Sequence, residues 1–166
     1  SSNLTLGDSA TIDVAQDETL TYSGASLSLG ANTLKITGSG TLSNTNTFVL
    51  GKGSKLQLAG ANTVSGPVTL NAGTIDVDQS GTLSSNLTLG GSATIDVAEN
   101  KTFIYGGTPL SLGANKLTIS GNGRLSATNA LLLDYPDSQL TITGSSVLSG
   151  AEVSTALTSG IEISES

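Results

Sequence analysis

The sequence contains two nearly identical copies of one stretch, and this repetition constrains the fold more than any other feature. SSNLTLGDSATIDVA at residues 1–15 returns as SSNLTLGGSATIDVA at residues 84–98, with Asp8 replaced by Gly91. The copies are offset by 83 residues (84 − 1 = 83), so the chain is built from a duplicated block. Repetition at a fixed period is the sequence signature of a stacked repeat architecture.

Each block contains a shorter repeat of about 21 residues. Its most regular marker is a leucine that follows a short apolar alternation: Leu6, Leu29, Leu50, Leu70, Leu89, Leu112 and Leu133. Four such steps make one block. The two blocks, at residues of about 3–83 and 86–166, therefore predict about eight coils in all. We interpret residues 1–166 as a single segment of a longer repeat protein.

Apolar residues alternate with a period of two throughout, and no helical periodicity is sustained. Strand-like pieces begin about every seven residues, whereas turn signals in a β-sandwich usually recur every 8 to 12 residues. A chain that changes direction three times in about 21 residues returns over itself. The sequence therefore predicts an all-β fold, a three-sided parallel β-helix (β-solenoid), and we expect it to be right-handed because parallel crossovers almost always are.

In such a stack, equivalent residues lie about 4.8 Å apart on successive coils, and eight coils make a rod of roughly 40 Å. One continuous inward file is predicted: Ile12, Leu34, Leu56, Ile75, Ile95, Leu117, Leu140 and Ile161. Gly-Ala-Asn recurs at Gly30, Gly60 and Gly113, which predicts stacked turns with their asparagines in an amide ladder.

Composition excludes several classes of function. The formal net charge is −7 and only six residues are basic, which disfavours nucleic-acid binding. Cysteine and histidine are absent, so thiol nucleophiles, imidazole bases and the usual zinc ligands are missing. No run of 18 apolar residues occurs, so we expect no direct membrane insertion.

The succession LxLG, ATIDV and GTLS, each followed by a turn, resembles the β-helical passenger repeats of bacterial autotransporters and of filamentous haemagglutinin-like adhesins. The resemblance covers essentially the whole chain. It implies a non-catalytic rod or adhesive stalk of a secreted or surface-displayed bacterial protein, located outside the cell or at its surface. Implied partners are a host-cell, matrix or polysaccharide surface and neighbouring coils of the same protein. The family pattern consists of core and turn positions, so no functional residue is carried over.

The best candidate for a metal site is acidic. Asp76 and Asp96 fall on consecutive coils, and Asp78 shares a strand face with Asp76. Carboxylates this close repel one another unless a cation intervenes, which suggests Ca²⁺ as the only candidate cofactor. The alternative is a solvated acidic ladder. The internal copy favours the ladder, because Asp8, Asp17 and Glu18 become Gly91, Asn100 and Lys101.

A different class of function is a β-helical protein that binds or processes polysaccharide. Paired carboxylates in a groove walled by long loops would be expected of such an enzyme, and the turns here are short. Tyr22 and Tyr105 recur at matched repeat positions, which predicts a structural role. We therefore expect no catalytic activity.

Two surface features could contact a partner. Asp134, Tyr135, Pro136 and Asp137 form a loop longer by one residue than its counterpart, and either a partner contact or a tolerated insertion explains it. A file of outward hydroxyl groups, suited to weak adhesion or to an ice surface, is predicted from Thr5, Ser28, Thr69, Thr88 and Ser111.

Overall fold

The computed structural model describes residue 4 and residues 6–150, 152–155 and 159–164. Within these ranges the chain contains 22 β-strands and no helix. Every strand pair among them is parallel. From β1 to β19, every strand except β12 pairs with the strand three places further along the chain, so the chain visits three faces in turn.

Face A is an eight-stranded sheet. Its strands are β1 (Ala10–Val14), β4 (Thr33–Gly38), β7 (Lys55–Leu58), β10 (Thr74–Val77), β13 (Ala93–Val97), β16 (Lys116–Ser120), β19 (Gln139–Thr143) and β22 (Gly160–Ser164). Face B is a seven-stranded sheet. Its strands are β2 (Thr19–Tyr22), β5 (Thr41–Asn44), β8 (Thr63–Ser65), β11 (Gly81–Leu83), β14 (Thr102–Tyr105), β17 (Arg124–Ala127) and β20 (Val147–Ser149).

Face C is divided into two sheets after the first coil of the second block. The first contains β3 (Leu27–Ser28), β6 (Phe48–Leu50), β9 (Val68–Leu70) and β12 (Leu87–Leu89). The second contains β15 (Leu110–Ser111), β18 (Leu131–Leu133) and β21 (Val153–Thr155). β12 and β15 remain neighbours in space but do not pair.

The predicted all-β, three-sided parallel solenoid is confirmed. The eight strands of face A are separated by about seven turns of about 22 residues, in agreement with the predicted stack of about eight coils of about 21 residues. Alternate residues of each strand point inward, where leucine, isoleucine and valine side chains form one continuous core. Burying each of these side chains stabilises the fold by about 1.5–3 kcal/mol, and no single coil could bury them alone.

The predicted inward file is wrong at one step in each block. Leu34, Leu56, Ile75 and Ile95 do stack in register. Ile12, however, pairs with Ile36 rather than Leu34, and Ile95 pairs with Ile119 rather than Leu117.

A small side chain explains this slip of two residues. Ala10 and Ala93 occupy the first inward position of their strands and stack on Leu34 and Leu117. At the other end of the strand, Gly38 lies opposite Val14, where an added Cβ would be 2.0 Å from the Val14 carbonyl oxygen. Alanine at one end and glycine at the other therefore fix the register.

The predicted amide ladder is also wrong. Asn32 and Asn115 lie at the corner between faces C and A, and their side-chain amides donate to the carbonyl oxygens of Leu6 and Leu89 on the coil below. Asn62 lies at the corner between faces A and B and donates to the Ile36 carbonyl oxygen. These asparagines therefore satisfy backbone groups of the adjacent coil instead of stacking on one another.

Candidate functional site

The acidic residues of face A lie where the sequence places them. Asp76 and Asp96 are direct partners in the parallel pairing of β10 and β13. Asp76 is only 8% exposed, and its Oδ2 accepts a hydrogen bond from the Lys55 Nζ at 2.8 Å. A cationic side chain thus already lies against the most buried carboxylate of the group.

The other two carboxylates are also hydrogen-bonded. Asp78 Oδ2 accepts from the side-chain amide of Gln57 at 2.8 Å, and Asp96 Oδ1 accepts from the Ser120 hydroxyl. Among the residues that the structure describes, no group of three or more acidic side chains is arranged to hold a metal ion. A calcium site at Asp76, Asp78 and Asp96 stays a prediction, and an ion bound there would have to displace Lys55.

The ion pair gives a prediction for stability. The hydrogen bond from Lys55 to Asp76 is the main cause that raises the pKa of Lys55, against the opposing effect of its partial burial. Replacing Lys55 with glutamine should lower the free energy of unfolding by about 1 kcal/mol, which is the upper end of the range of stabilisation found for exposed ion pairs. Chemical denaturation of Lys55→Gln and of the exposed control Lys52→Gln measures this loss.

The same pair predicts a pH dependence. Because the pKa of Lys55 is higher in the folded chain, its contribution is fully present at neutral pH and is lost as the pH rises through the lysine range. The stability difference between the wild type and Lys55→Gln should therefore shrink at alkaline pH. A difference that persists there would show that the ion pair is not its cause.

The Asp134–Asp137 loop is exposed but fixed at both ends. The Ser111 hydroxyl donates to the Asp134 carboxylate at 2.7 and 2.9 Å. The Tyr135 backbone N–H donates to the Ser138 Oγ, and the Ser138 N–H donates to the Tyr135 carbonyl oxygen, each at 3.0 Å. This closed turn presents Tyr135 and Asp137 to solvent. A partner contact at Asp134, Tyr135 and Asp137 stays a prediction.

The predicted hydroxyl file on face C is interrupted. Ser28 pairs with Val49, which pairs with Thr69, so an apolar residue breaks the file at its second position. Ser111 belongs to the other sheet of face C, and Thr5 lies outside the described residues. Among the described members of the file, only Thr69 and Thr88 are direct partners.

Face B carries a regular pattern of hydroxyl groups that the sequence reasoning missed. Thr19, Thr41, Thr63 and Thr82 are successive partners on four strands. Beside them, Thr21, Ser43 and Ser65 form a second file. We call these seven residues the hydroxyl array. Its groups lie about 4.8 Å apart between strands and about 6.6 Å apart along each strand.

The signal for this array is a T-x-T or T-x-S pair in every third strand of the first block, as in TLTY, TLSN and TVS. The pairs come into register only when the lengths of the intervening turns are known. The array ends at β14, where Ile104 is the partner of Thr82.

The hydroxyl groups of the array are available for binding. Within the described part of the chain, none of the seven side chains hydrogen-bonds to another protein atom. Each hydroxyl can donate one hydrogen bond and accept others, and none of the seven carries a charge. The array can therefore offer alternating donors and acceptors to a polar surface with a matching repeat.

The two repeat tyrosines are structural, as their matched positions predict. The Tyr105 ring is buried, its hydroxyl donates to the Thr108 carbonyl oxygen at 2.8 Å, and it accepts from the Leu87 N–H at 3.2 Å. Burial is the main cause that raises the pKa of Tyr105. Tyr22 repeats the arrangement by accepting from the Leu4 N–H at 3.1 Å.

Comparison with known proteins gives no relative for this chain. No family model matches it, and neither the curated proteins nor the solved structures include a significant match. In the described ranges, no helix has the length and apolar character needed to cross a membrane.

Proposed function

We propose that this chain is a non-catalytic rod that serves as a stalk or passenger module of a secreted or surface-displayed bacterial protein. The observation that carries the proposal is the unbroken parallel pairing of all eight strands of face A. A ladder of this kind resists bending because each coil is hydrogen-bonded to the coils above and below it. The resemblance to passenger repeats supports a location at or outside the bacterial surface.

A second function, adhesion to a polysaccharide surface, is favoured by the hydroxyl array. Polysaccharide chains present hydroxyl groups at regular intervals, and the array presents seven unpaired hydroxyls on a regular grid. Each contact would be weak, because it replaces a hydrogen bond to water. Several contacts made together by one rigid face give useful avidity.

Co-sedimentation with insoluble polysaccharides tests adhesion. The wild type should be retained on at least one of cellulose, chitin or peptidoglycan, and Thr41→Val/Thr63→Val should be retained several-fold less. Valine keeps the branched shape and strand propensity of threonine. The matched control is Thr94→Val/Thr118→Val, which removes two paired threonines from the outward side of face A.

The outcomes distinguish the alternatives. Equal retention of both double variants would show that the adhesive surface is not the hydroxyl array. Release of reducing ends or unsaturated sugars would overturn the non-catalytic assignment and favour a polysaccharide-processing enzyme. Inhibition of ice growth by the wild type, without retention on any polysaccharide, would identify ice as the matching surface.

A further inference from the structure

Two of the six basic residues lie together in a pocket of the second block, at the corner between faces A and B. Lys101 and Arg124 line it from consecutive coils, and the Arg124 N–H donates to the Lys101 carbonyl oxygen at 2.9 Å. Asn100 and Thr102 line the same pocket, whose volume is about 250 Å³. Pockets that enclose a whole small molecule are larger, about 300–1,000 Å³. This pocket therefore suits one charged group of a larger ligand.

The protein does not neutralise the two cations of this pocket. The Lys101 Nζ donates to the uncharged Gln79 Oε1 at 3.0 Å. Arg124 is exposed, and no described residue accepts a hydrogen bond from its guanidinium group. Neither cation forms an ion pair with a described carboxylate, including that of Glu99 two residues before Lys101. The planar donors of an arginine match both oxygens of a carboxylate, so the pocket can bind an anion of this kind.

The first block has the same corner with the opposite charge. At three equivalent positions, Asp17, Glu18 and Thr41 are replaced by Asn100, Lys101 and Arg124. The formal charge at these positions is therefore −2 in the first block and +2 in the second. The backbone is unchanged, because the Thr41 N–H donates to the Glu18 carbonyl oxygen at 2.9 Å and the φ angles of Asp17 and Asn100 are 61° and 60°.

The fold accepts either set of charges, so it does not explain the basic pair. Lys101 and Arg124 are 23 residues apart in the sequence (124 − 101 = 23), and the stack brings them together. Like charges placed side by side repel each other, which is unfavourable unless an anion binds between them. The basic pair is therefore better explained by a ligand than by the stability of the chain.

The pocket continues the hydroxyl array along the rod. The array ends with Thr82 on β11, and the next two strands of face B, β14 and β17, begin at the pocket. The array is uncharged, while the chain as a whole carries a formal charge of −7. A ligand lying along this face needs neutral, hydroxyl-rich units over the array and a single anionic group in the pocket. A polymer charged on every unit would be repelled by the rest of the chain.

We propose that the pocket between Lys101 and Arg124 binds the carboxylate of an acidic sugar, in a polysaccharide whose acidic units are separated by neutral ones. This proposal rests on the adhesion proposed above and names the class of polysaccharide. The Arg124 guanidinium group binds both carboxylate oxygens, and the Lys101 ammonium group approaches them from the coil below. The side chains of Asn100 and Thr102 hydrogen-bond the neighbouring hydroxyl groups of the same sugar.

Titration calorimetry with hyaluronan oligosaccharides, in which acidic and neutral sugars alternate, tests the ligand class. The wild type should bind them about tenfold more tightly than the carboxyl-reduced oligosaccharides, since hydrogen bonds to a charged group are lost in the reduced form. Polygalacturonate oligosaccharides, charged on every unit, should bind more weakly than hyaluronan. These comparisons use the wild type alone. Equal binding of the native and the reduced oligosaccharides would overturn the proposal.

A double variant tests the site. Lys101→Glu/Arg124→Thr restores the residues of the first block, so it should melt like the wild type but lose the tenfold preference. The control Lys35→Thr/Lys52→Glu makes the same change of −3 in net charge away from the pocket, and it should keep the preference. Equal losses in the two variants would overturn the site.

The outcome also separates this pocket from the hydroxyl array. A wild type that prefers native hyaluronan but is retained on neither cellulose nor chitin would support the pocket and contradict adhesion by the array to neutral polysaccharide. Retention on cellulose or chitin without a preference for native hyaluronan would overturn the pocket alone.

Discussion

Replacing Ile95 with alanine should lower the free energy of unfolding by about 2–5 kcal/mol, whereas the same change at Ile12 should have a much smaller effect. Both isoleucines lie in the sequence ATIDV. Ile95 is 1% exposed between two coils, while Ile12 is on the first described strand of face A and is only partly buried. The substitution at Ile95 leaves a cavity that rigid neighbouring coils cannot close, so the loss of stability should not be reduced by rearrangement of the core.

This pair of variants separates position in the stack from local sequence. Repeat arrays can unfold in parts, so native-state hydrogen exchange should accompany chemical denaturation. Exchange in Ile12→Ala should be faster only near β1 and β2, whereas Ile95→Ala should also weaken the coils in the middle. Equal effects of the two substitutions at low protein concentration would show that burial by the neighbouring coils does not determine stability.

Replacing Gly60 with alanine should also be strongly destabilising, by about 1–3 kcal/mol or more. A Cβ at Gly60 would be 1.8 Å from the carbonyl oxygen of Gly38 on the coil below. Backbone cannot rotate away as a flexible side chain can, so the coils must separate at this corner. Since their spacing is set by ladder hydrogen bonds on faces A and B, the strain extends to both.

The matched control for this prediction is Gly51→Ala. Gly51 also lies at a corner, but its added Cβ would be in ordinary contact, 3.6 Å from the Gly30 carbonyl oxygen. Thermal melting of the two variants should show a large decrease for Gly60→Ala and little change for Gly51→Ala. Similar decreases in melting temperature would mean that glycine is needed at both corners for its conformational freedom, and not because the backbone of the adjacent coil lies so close.

The fold could be predicted from the sequence because its two main signals are independent of turn geometry. Alternation with a period of two indicates strands, and the offset of 83 residues indicates stacking. The residues that lie on one another could not be predicted equally well. Ala10 looks like part of a turn, yet it occupies an inward position and moves Ile12 onto Ile36.

The difficulty of predicting which residues lie on one another also explains which surface features could be predicted from the sequence. The pairing of Asp76 with Asp96 was predictable, because both residues occupy the third position of the same TIDV motif on consecutive coils. The hydroxyl array was not, because Thr41, Thr63 and Thr82 follow turns of different composition and length. Lys55 was missed as the partner of Asp76 because its side chain reaches diagonally across to the next strand.

Parallel winding gives this molecule a direction. Every strand pair among the described residues has the same sense, so the edge that a strand presents to the next coil differs from the edge that it presents to the previous coil. The two sides of a coil are therefore not interchangeable, and the coils can stack in one order only.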